Sequence, residues 1–411
     1  MRILYVLPFW PHLYTPFLFR EMAWMRSRGH AVAVISLRRW PDGQVNVERF
    51  GLNDVPVLQI SRQYESDRAL AGQVARAAVS GGGGRGAAGP TLRQSVASRG
   101  GRQGLHEWAN WRRIVAFVRQ QQSDVMDAHW GAEAAELGVR LKEALGLPLS
   151  VTFHGGDIYR PSPALPTIVA AADLLQPVSQ FLADLLMRKR ERSDAGVVMP
   201  ALNIDEKRVR IRWHGLPAEV VAATPAAQGD DAQVIATAGR LDPEKGQLAL
   251  LEAAAPLTGK FPGLRLRIIG GGQLADPLRQ RAAELGIADR MEITGALPWD
   301  QVLAKMRSAH VYVQCSHYEG FGMTLLEAAA QGLPLIATRT GAHDEIIQDG
   351  VNGKLYDVGD AAALAAHLRQ LLADTNLRRQ MGQASLRRVR ERFVVDDLMP
   401  RTETALRGLC A

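Results

Sequence analysis

Cysteines and long apolar runs are scarce in this chain of 411 residues. Its only cysteines, Cys315 and Cys410, lack the spacing of a metal-binding or redox motif. Two cysteines in so long a chain indicate a reducing compartment, and we expect both to be free thiols. No segment approaches the roughly 20 consecutive apolar residues of a membrane-spanning helix, and the N-terminal stretch MRILYVLPFWPHLY has the pattern of a buried strand rather than a cleaved signal. These absences predict a cytoplasmic protein.

Glycine is absent from the first apolar run and the loop that follows it, ILYVLPFWPHLYTPF, residues 3–17. A nicotinamide-dependent oxidoreductase carries a glycine fingerprint between its first strand and its first helix, where the cofactor pyrophosphate binds. This absence argues against an oxidoreductase.

The chain is longer than one hydrophobic core usually serves, which predicts two domains. Its net charge is +7, and much of the basic excess lies in WANWRRIVAFVRQ, residues 108–120, and MRKRER, residues 187–192. Such stretches could contact an anionic membrane surface or could be solvated faces of core helices, and the sequence leaves both open. The basic residues are otherwise scattered without a recognised motif, so we expect no nucleic-acid partner.

Short apolar runs alternate with helical patterns along most of the chain. The runs are ILYVLPF, HAVAVISL, DVMDAHW, LPLSVTFHG, DLLQPVS, QVIATAGR, LRLRIIGGG, RMEITGA, HVYVQCS and LPLIATR. Helical patterns lie between them at residues 16–28, 132–145, 246–257, 274–285 and 323–331. Apolar strands separated by helices are typical of parallel sheets covered on both faces. The predicted fold class is α/β, with two doubly wound, Rossmann-like domains.

Two stretches interrupt this alternation. Residues 80–104, SGGGGRGAAGPTLRQSVASRGGRQG, are too rich in glycine, serine and arginine to form a core, which predicts a flexible insertion in the first domain. Residues 217–233, PAEVVAATPAAQGDDAQ, form an Ala/Pro-rich link after which the alternation restarts. We therefore predict an N-terminal domain over residues 1–217, a C-terminal domain over 233–390, and a terminal helix over 391–411 that packs back on the first domain.

Ligands bind doubly wound domains at the carboxyl ends of the strands, so two such domains predict a site in the cleft between them. Arg240 follows VIATAG, and Lys245 begins the next helix. Two cations on one strand-to-helix loop suit a diphosphate, to which the amides of the helix N-terminus add donors. Alternatively, both are ordinary surface cations.

Other candidates also follow apolar runs. Gly270, Gly271 and Gly272 follow LRLRII and would let a nucleotide approach the backbone closely, although a glycine there is usually a turn residue. His154 and Asp157 lie in HGGD after SVTF. A lone histidine is more often structural, but one beside two glycines that expose the backbone favours a ligand site.

The segment SHYEGFGMTLLEAAAQG, residues 316–332, holds two glutamates, Glu319 and Glu327. In one continuous helix they would lie more than two turns apart. A turn at residues 320–322 instead lets Glu319 end a strand-to-helix loop while Glu327 lies on the second turn of the helix, so that both face one ligand. An ionised Glu327 on so apolar a helix costs several kcal/mol unless it is partnered, and vicinal hydroxyls of a ligand could partner it.

The motifs together resemble the retaining GT-B glycosyltransferases of family GT4. The matching pieces, in order, are TFHGGD, GRLDPEKGQLALLEA, LRLRIIGGG, ITGALP, CSHYEGFGMTLLEAAAQGLPLIAT and DEIIQDGVNGKLY. They extend over about two thirds of the chain. The N-terminal PFWPHLYTPFLFREMAWMRSRGHAVAVIS with DAHWG is similar to the exopolysaccharide branch of that family, the colanic-acid type.

The resemblance implies a reaction and its partners. A sugar passes from a nucleoside diphosphate sugar, UDP- or GDP-linked, to a hydroxyl of a glycan, lipid-linked or small-molecule acceptor, in bacterial polysaccharide or glycoconjugate synthesis. Retention at the anomeric carbon is explained in relatives by front-face attack of the acceptor. The alternative is that Glu319 acts as a covalent nucleophile. No metal or other cofactor is expected, because cations of the protein stabilise the leaving group.

The resemblance also implies residue roles. Glu327 accepts hydrogen bonds from the ribose, Glu319 lies by the donor sugar, Arg240 and Lys245 neutralise the diphosphate, and His154 contacts the sugar from the opposite domain. The implied donor-binding set is Gly155, Gly156, Asp157, Gly239, Gly270, Gly271, Gly320, Phe321, Gly322, Met323, Thr324 and Glu327.

Two segments depart from the family pattern. The first loop, PFWPHLYTPF, lacks the glycine pair that contacts phosphate in relatives, and HGLP, residues 214–217, replaces the usual Asn-Gly-Val-Asp near the domain boundary. These departures leave donor positioning and the boundary open. A nucleotide-sugar epimerase or a non-catalytic sugar-nucleotide binder with the same fold also stays open.

Overall fold

In a computed structural model, the described residues, 1–39, 41–62, 101–190, 196–222 and 233–410, form two six-stranded parallel sheets. The first sheet consists of β1 (Arg2–Phe9), β2 (Ala31–Arg39), β3 (Val57–Arg62), β4 (Val125–His129), β5 (Leu149–Phe153) and β6 (Leu174–Pro177). The second consists of β7 (Val234–Ala238), β8 (Arg265–Ile269), β9 (Met291–Ile293), β10 (Val311–Gln314), β11 (Leu335–Thr338) and β12 (Gly353–Tyr356). The prediction of two doubly wound α/β domains is confirmed.

Helices cover both sheets. In the N-terminal half they are α1 (Pro16–Ser27), α2 (Gln44–Arg49), α3 (Gly101–Gln121), α4 (Glu133–Leu145), α5 (Gly155–Tyr159), α6 (Leu165–Ala171), α7 (Gln180–Leu186) and α8 (Ala218–Ala222). In the C-terminal half they are α9 (Gln247–Ala254), α10 (Ala275–Glu284), α11 (Trp299–Arg307), α12 (Met323–Ala330), α13 (His343–Ile346), α14 (Ala361–Ala373), α15 (Thr375–Arg392) and α16 (Val395–Arg407). Every residue of β4, β5, β7 and β10 is buried, as expected for strands covered on both faces.

The strand order is β3-β2-β1-β4-β5-β6 in the first sheet and β12-β11-β10-β7-β8-β9 in the second, which is the same order within each half. The order reverses between β1 and β4 and between β7 and β10. Ligands of such sheets bind in the crevice outside the carboxyl ends of the strands at these switch points. The fold therefore directs attention to the loops that follow β1, β4, β7 and β10.

The chain passes between the halves twice. Leu216 donates its amide to the carbonyl of Phe393 at 2.8 Å, and Val395 donates back to Leu216 at 2.9 Å, so the two crossing segments pair side by side. From there α16 packs on α1, where the indole of Trp24 donates to Asp396 at 2.9 Å. The C-terminal helix thus lies on the first domain, as the sequence predicts.

Parts of the predicted insertion and link lie outside the described residues. These parts are residues 80–100 and 223–232. Residues 101–104, assigned to the insertion from sequence, are the first residues of α3 and so are helical rather than loop. Residues 218–222 of the predicted link likewise form α8.

Most apolar side chains of the first basic and aromatic stretch lie in the core. Trp108 and Trp111 of α3 are buried, and so is Phe181 of α7, which precedes the second stretch. The residues left at the surface after α7 are Arg188, Lys189 and Arg190. Among the described residues, no helix combines the length and apolarity needed to cross a membrane. Both cysteines are free thiols, one buried and one exposed.

Candidate active site

Glu319 and Lys245 form an ion pair where two loops of the C-terminal domain meet. Lys245 comes from the loop after β7 and Glu319 from the loop after β10, and the distance from Nζ to Oε2 is 2.6 Å. The amide of Gly320 donates to the other carboxylate oxygen at 3.2 Å. Burial opposes ionisation of Glu319, but Lys245 and His343 outweigh that effect and hold its pKa below the ordinary value. This carboxylate is therefore ionised at neutral pH.

Arg240 lies at the exposed edge of the same loop. Its guanidinium contacts Asp242 at 2.5 Å and Glu244 at 2.8 Å. Both predicted diphosphate cations thus lie on one strand-to-helix loop, but each is engaged with a carboxylate. An anionic ligand would have to exchange places with those carboxylates.

Gly239 and Gly270 bring the loops after β7 and β8 into direct contact. A Cβ atom on Gly270 would lie 1.9 Å from the carbonyl oxygen of Gly239, and both residues have a φ of 146°. A Cβ on Gly271 would lie 3.2 Å from the amide of Ala296. Backbone packing therefore requires a glycine at position 270, whereas at position 239 the positive φ favours one. Gly239 and Gly270 also line the pocket described next.

An apolar pocket lies between the two domains beside Glu327. It encloses about 600 Å³, solvent at its mouth included. The loop after β1, which lacks the glycine pair of relatives, and the start of α1 supply its first wall with Leu13, Tyr14, Pro16 and Phe17. The second wall includes the predicted residues Gly239, Gly270, Met323, Thr324 and Glu327.

Glu327 is buried on the second turn of α12, as predicted. Its Oε1 accepts a hydrogen bond of 2.7 Å from the indole of Trp299. Burial raises its pKa to about 7, although the charge of Arg20 and the indole bond act in the opposite direction. A carboxyl group with this pKa is partly ionised at neutral pH and, at the wall of the pocket, suits a ligand that carries hydroxyls.

Gly320, Phe321 and Gly322 connect the ion pair to α12. Gly322 has a φ of 95°, a left-handed conformation that suits glycine. The Phe321 side chain turns away from the pocket and meets His214 and Phe393 edge to face, at 5.8 Å each. The predicted turn at residues 320–322 is therefore present. It places Glu319 on the loop before α12 and Glu327 on the helix itself.

His154 comes from the first domain and is also buried. Its Nε2 lies 3.2 Å from Nδ1 of His129, and its ring stacks on Trp130 at 4.4 Å. Burial lowers its pKa well below the ordinary value, so the ring is neutral. Asp157 accepts a 2.7 Å hydrogen bond from the His154 amide, and burial raises its pKa to about 7. This carboxyl group closes the first turn of α5, and Gly155 and Gly156 lie between the two residues.

A buried charged network supports His129. Arg212 donates to Asp127 at 2.7 Å and to Glu21, and the latter carboxylate also accepts from Tyr5 at 2.8 Å. Burial favours a neutral His129, but Asp127 and Glu21 outweigh it and raise its pKa. Glu21, Asp127 and His129 could offer ligand atoms within 4.8 Å of one another. The Arg212 guanidinium already occupies both carboxylates as an ion-pair partner, so this set does not fit a divalent cation.

Sequence reasoning missed several of these residues. Arg20 and Trp299, which lie next to Glu327, come from opposite domains, and nothing in their local sequence indicates that they meet. The buried partner of Asp127 could have been predicted, because a carboxylate inside a strand that is buried at every position requires a cation or hydrogen-bond donor.

Comparisons with known proteins bear on this site. Residues 225–388 match the family model described as glycosyl transferases group 1. A D-inositol 3-phosphate glycosyltransferase of Streptomyces avermitilis is 36% identical over 233 residues, which are 54% of this chain and 48% of that protein. The lipopolysaccharide core biosynthesis glycosyltransferase LpsE of Rhizobium meliloti is 35% identical over 161 residues, 39% of this chain and 44% of that protein. The chain thus spans about half the length of these curated relatives.

The whole chain superposes on solved structures. Alr3699/HepE of Anabaena, solved in complex with UDP-glucose, matches with a TM-score of 0.73 and 17% identity over 99% of this chain and 100% of that one. At this identity the match supports the fold alone. The chain thus has the two-domain GT-B fold, and its residues 225–388 match the family model of the glycosyl transferases group 1.

Proposed function

We propose that this protein is a retaining glycosyltransferase that moves a sugar from a nucleoside diphosphate sugar to an acceptor hydroxyl. The observation that carries the proposal is the arrangement of Glu327 in an apolar pocket between the domains, with Arg240, Lys245 and Glu319 on adjoining loops of a family domain. The relatives are glycosyltransferases by name, which supports the same reaction class.

The nucleoside would occupy the interdomain pocket. Its ribose hydroxyls would donate to Glu327, which has the burial and position for this role. The diphosphate would lie over the loop after β7, where Lys245 and Arg240 leave their carboxylate partners for the phosphate oxygens. The amides at the N-terminus of α12 would add donors to the phosphate or to sugar hydroxyls. Because these cations belong to the protein, we expect activity without a metal.

The transfer breaks the bond between the anomeric carbon and the phosphate oxygen and forms a bond from the same face to the acceptor oxygen. The acceptor proton passes to a phosphate oxygen of the departing nucleoside diphosphate, so no other base is needed. The neutral His154 contacts the sugar from the first domain. Glu319, held by Lys245 and by the Gly320 amide, accepts hydrogen bonds from sugar hydroxyls.

A covalent role for Glu319 is the alternative mechanism. In retaining hydrolases a carboxylate attacks the anomeric carbon while a second carboxyl group lies roughly 5 Å away. Trapping with a 2-fluoro donor followed by mass spectrometry separates the two mechanisms, since front-face transfer leaves Glu319 unmodified. An adduct at Glu319 would establish the covalent route.

The acceptor is a glycan, a lipid-linked saccharide or a small molecule, held by the first domain. Bacterial glycoconjugate synthesis is the setting that the names of the relatives support, and the N-terminal segments of this chain resemble those of the exopolysaccharide branch. We further propose that the enzyme works in the cytoplasm and contacts the inner face of the membrane through the exposed Arg188, Lys189 and Arg190. Failure to bind anionic vesicles at low salt would contradict the membrane contact.

A thermal-shift screen tests the donor class first. UDP, GDP and ADP with their sugar conjugates are compared, with and without EDTA, because a ligand of the folded state raises the apparent melting temperature. We expect a shift with one nucleotide family that is lost in Arg240→Ala and Glu327→Ala. NMR of the product then distinguishes a transferase from an epimerase, which alters the sugar without an acceptor, and from a binder, which alters nothing.

A further inference from the structure

The side chain of Arg20 is a buried cation that makes no hydrogen bond to the described residues. It lies on α1, is 4% exposed, and all three of its guanidinium nitrogens are buried without a hydrogen-bond partner. A buried charge without hydrogen bonds is costly. The charge of Glu327 opposes the effect of burial on the Arg20 pKa, and a second interaction involves an aromatic ring.

That interaction crosses to the other domain. The guanidinium carbon of Arg20 lies 4.6 Å from the centroid of the Trp299 ring, a cation–π contact with the first residue of α11. Arg49 of α2 lies 5.1 Å from the same ring and pairs with Asp300 at 2.7 Å. Two arginines of the first domain thus hold one tryptophan of the second.

The same tryptophan orients the carboxylate in the nucleoside pocket. Its indole N–H donates to Oε1 of Glu327 at 2.7 Å, and the two side chains line the pocket together. The other oxygen, Oε2, makes no hydrogen bond to the described residues. The indole therefore fixes one oxygen of Glu327 and leaves the other for a ligand.

We propose that Arg20 and Trp299 are positioning residues for the donor, through which the first domain sets the ribose-binding carboxylate of the second. Arg20 holds the Trp299 ring, Trp299 holds Glu327, and Glu327 selects a ribose with both hydroxyls. The ribose subsite is complete only when the two domains are closed on each other. This inference rests on the proposed function, because it takes a nucleoside diphosphate as the ligand.

The test compares UDP and GDP with their 2′-deoxy forms by titration calorimetry of the full-length protein. We expect the wild type to prefer the ribonucleotide of one pair by about tenfold, since a hydrogen bond to a charged group is lost in the deoxy form. Arg20→Met and Trp299→Phe should each reduce that preference to about twofold. The phenylalanine keeps a ring for Arg20 and removes only the N–H. Arg20→Lys should retain part of the preference, because it keeps the charge.

Arg26→Met is the matched control. Arg26 lies on the same helix and pairs with Asp54 at 2.6 Å inside the first domain, away from the cleft. We expect this variant to keep the full preference. Arg20→Met added to Glu327→Gln should change the preference no further, because the carboxylate through which Arg20 acts is already gone.

Each remaining outcome counts against the proposal. Equal weakening of the ribo and deoxy forms by Arg20→Met, with a normal melting temperature, would mean that Arg20 supports the fold without setting the ribose subsite. An unchanged preference would overturn the proposal directly, and so would a further loss in the Glu327→Gln background. If the wild type bound none of the four nucleotides and ADP gave no thermal shift either, the proposed function would fail as well.

Discussion

The backbones of Gly155 and Gly320 touch across the cleft between the two domains. A Cβ atom on Gly320 would lie 2.6 Å from the amide nitrogen of Gly155, and a Cβ on Gly155 would lie 2.9 Å from that of Gly320. Beside this contact, Ser179 donates its hydroxyl to the Gly320 carbonyl at 2.9 Å, and Tyr159 donates to the Glu319 carbonyl at 3.2 Å. The loop that carries Glu319 therefore lies directly against the segment that follows His154.

Substitution of Gly320 by alanine should keep the domains apart. The added methyl group meets backbone that cannot rotate away, so the Glu319 loop must withdraw from the His154 segment. Because a displacement of about 1 Å can cost on the order of 100-fold in rate, we expect a 10- to 100-fold loss of kcat/KM with a small change in melting temperature. Small-angle scattering should report a larger radius of gyration.

Gly259→Ala is the control for that prediction. Gly259 ends the short 3-10 turn after α9, and a Cβ there meets nothing within 4 Å. Its kcat/KM should stay within about twofold of the wild type. A Gly320→Ala variant with wild-type activity would show that the glycine contact does not define the active arrangement.

The ion pair of Lys245 with Glu319 should be worth more than an exposed pair. The two side chains are 17% and 16% exposed, so Lys245→Met leaves Glu319 largely buried without its cation. We expect a loss of about 2 kcal/mol in the free energy of unfolding, measured in urea, of which Glu319→Gln in the double variant restores part. Lys142→Met, which breaks a more exposed pair with Asp173, should cost less than about 1 kcal/mol. Equal losses would contradict this ranking.

The strands that could be predicted from sequence are those with continuous apolar runs. The two that were missed, β3 and β12, are edge strands, and polar residues such as Gln59 and Lys354 interrupt their apolar pattern. The other two edge strands, β6 and β9, were predicted from their apolar runs, so the interrupting polar residues rather than the edge position account for the miss.

The positions of Glu319 and Glu327 could be predicted because a glycine turn and a helix start are local features. The partners of these carboxylates could not. Lys245 reaches Glu319 only because β7 and β10 are neighbours in the sheet, and Trp299 reaches Glu327 from the start of α11. Such pairings depend on the order of strands and the packing of helices, which a single sequence does not encode in any short segment. The roles of these residues in donor binding remain predictions.

The pKa of Glu327, about 7, should make donor binding depend on pH. Above pH 7 the carboxylate is ionised and accepts from ribose hydroxyls, so we expect UDP or GDP to bind roughly tenfold more tightly at pH 8 than at pH 5.5. The stability of the apo protein should change with pH in the opposite direction to the affinity. Because the folded pKa is raised above the ordinary 4.5, this group stabilises the fold fully below pH 4.5, and that stabilisation is lost as pH rises through 7.

Glu327→Gln separates this effect from other titrations. The nucleotide phosphate and Asp157 also change ionisation near neutral pH, but both remain in the variant. The affinity for UDP or GDP is measured by titration calorimetry at pH 8 and pH 5.5 in both proteins. The change in affinity of the wild type should exceed that of the variant by about tenfold. An identical pH dependence in the two proteins would show that Glu327 does not titrate in this range.

The buried network around Arg212 should dominate the stability of the first domain. Arg212 is 3% exposed and pairs with Glu21 and Asp127, so Arg212→Met would leave two buried carboxylates with only the His129 ring as a neighbouring cation. Breaking such a pair typically costs about 3–5 kcal/mol, and we expect at least the lower figure from urea unfolding. Arg210→Met removes an exposed arginine two residues earlier and should cost less than about 0.5 kcal/mol. The loss in Arg212→Met should shrink as pH falls, because protonation of the carboxylates removes the unpaired charges, and a loss that is constant with pH would show that packing rather than charge accounts for it.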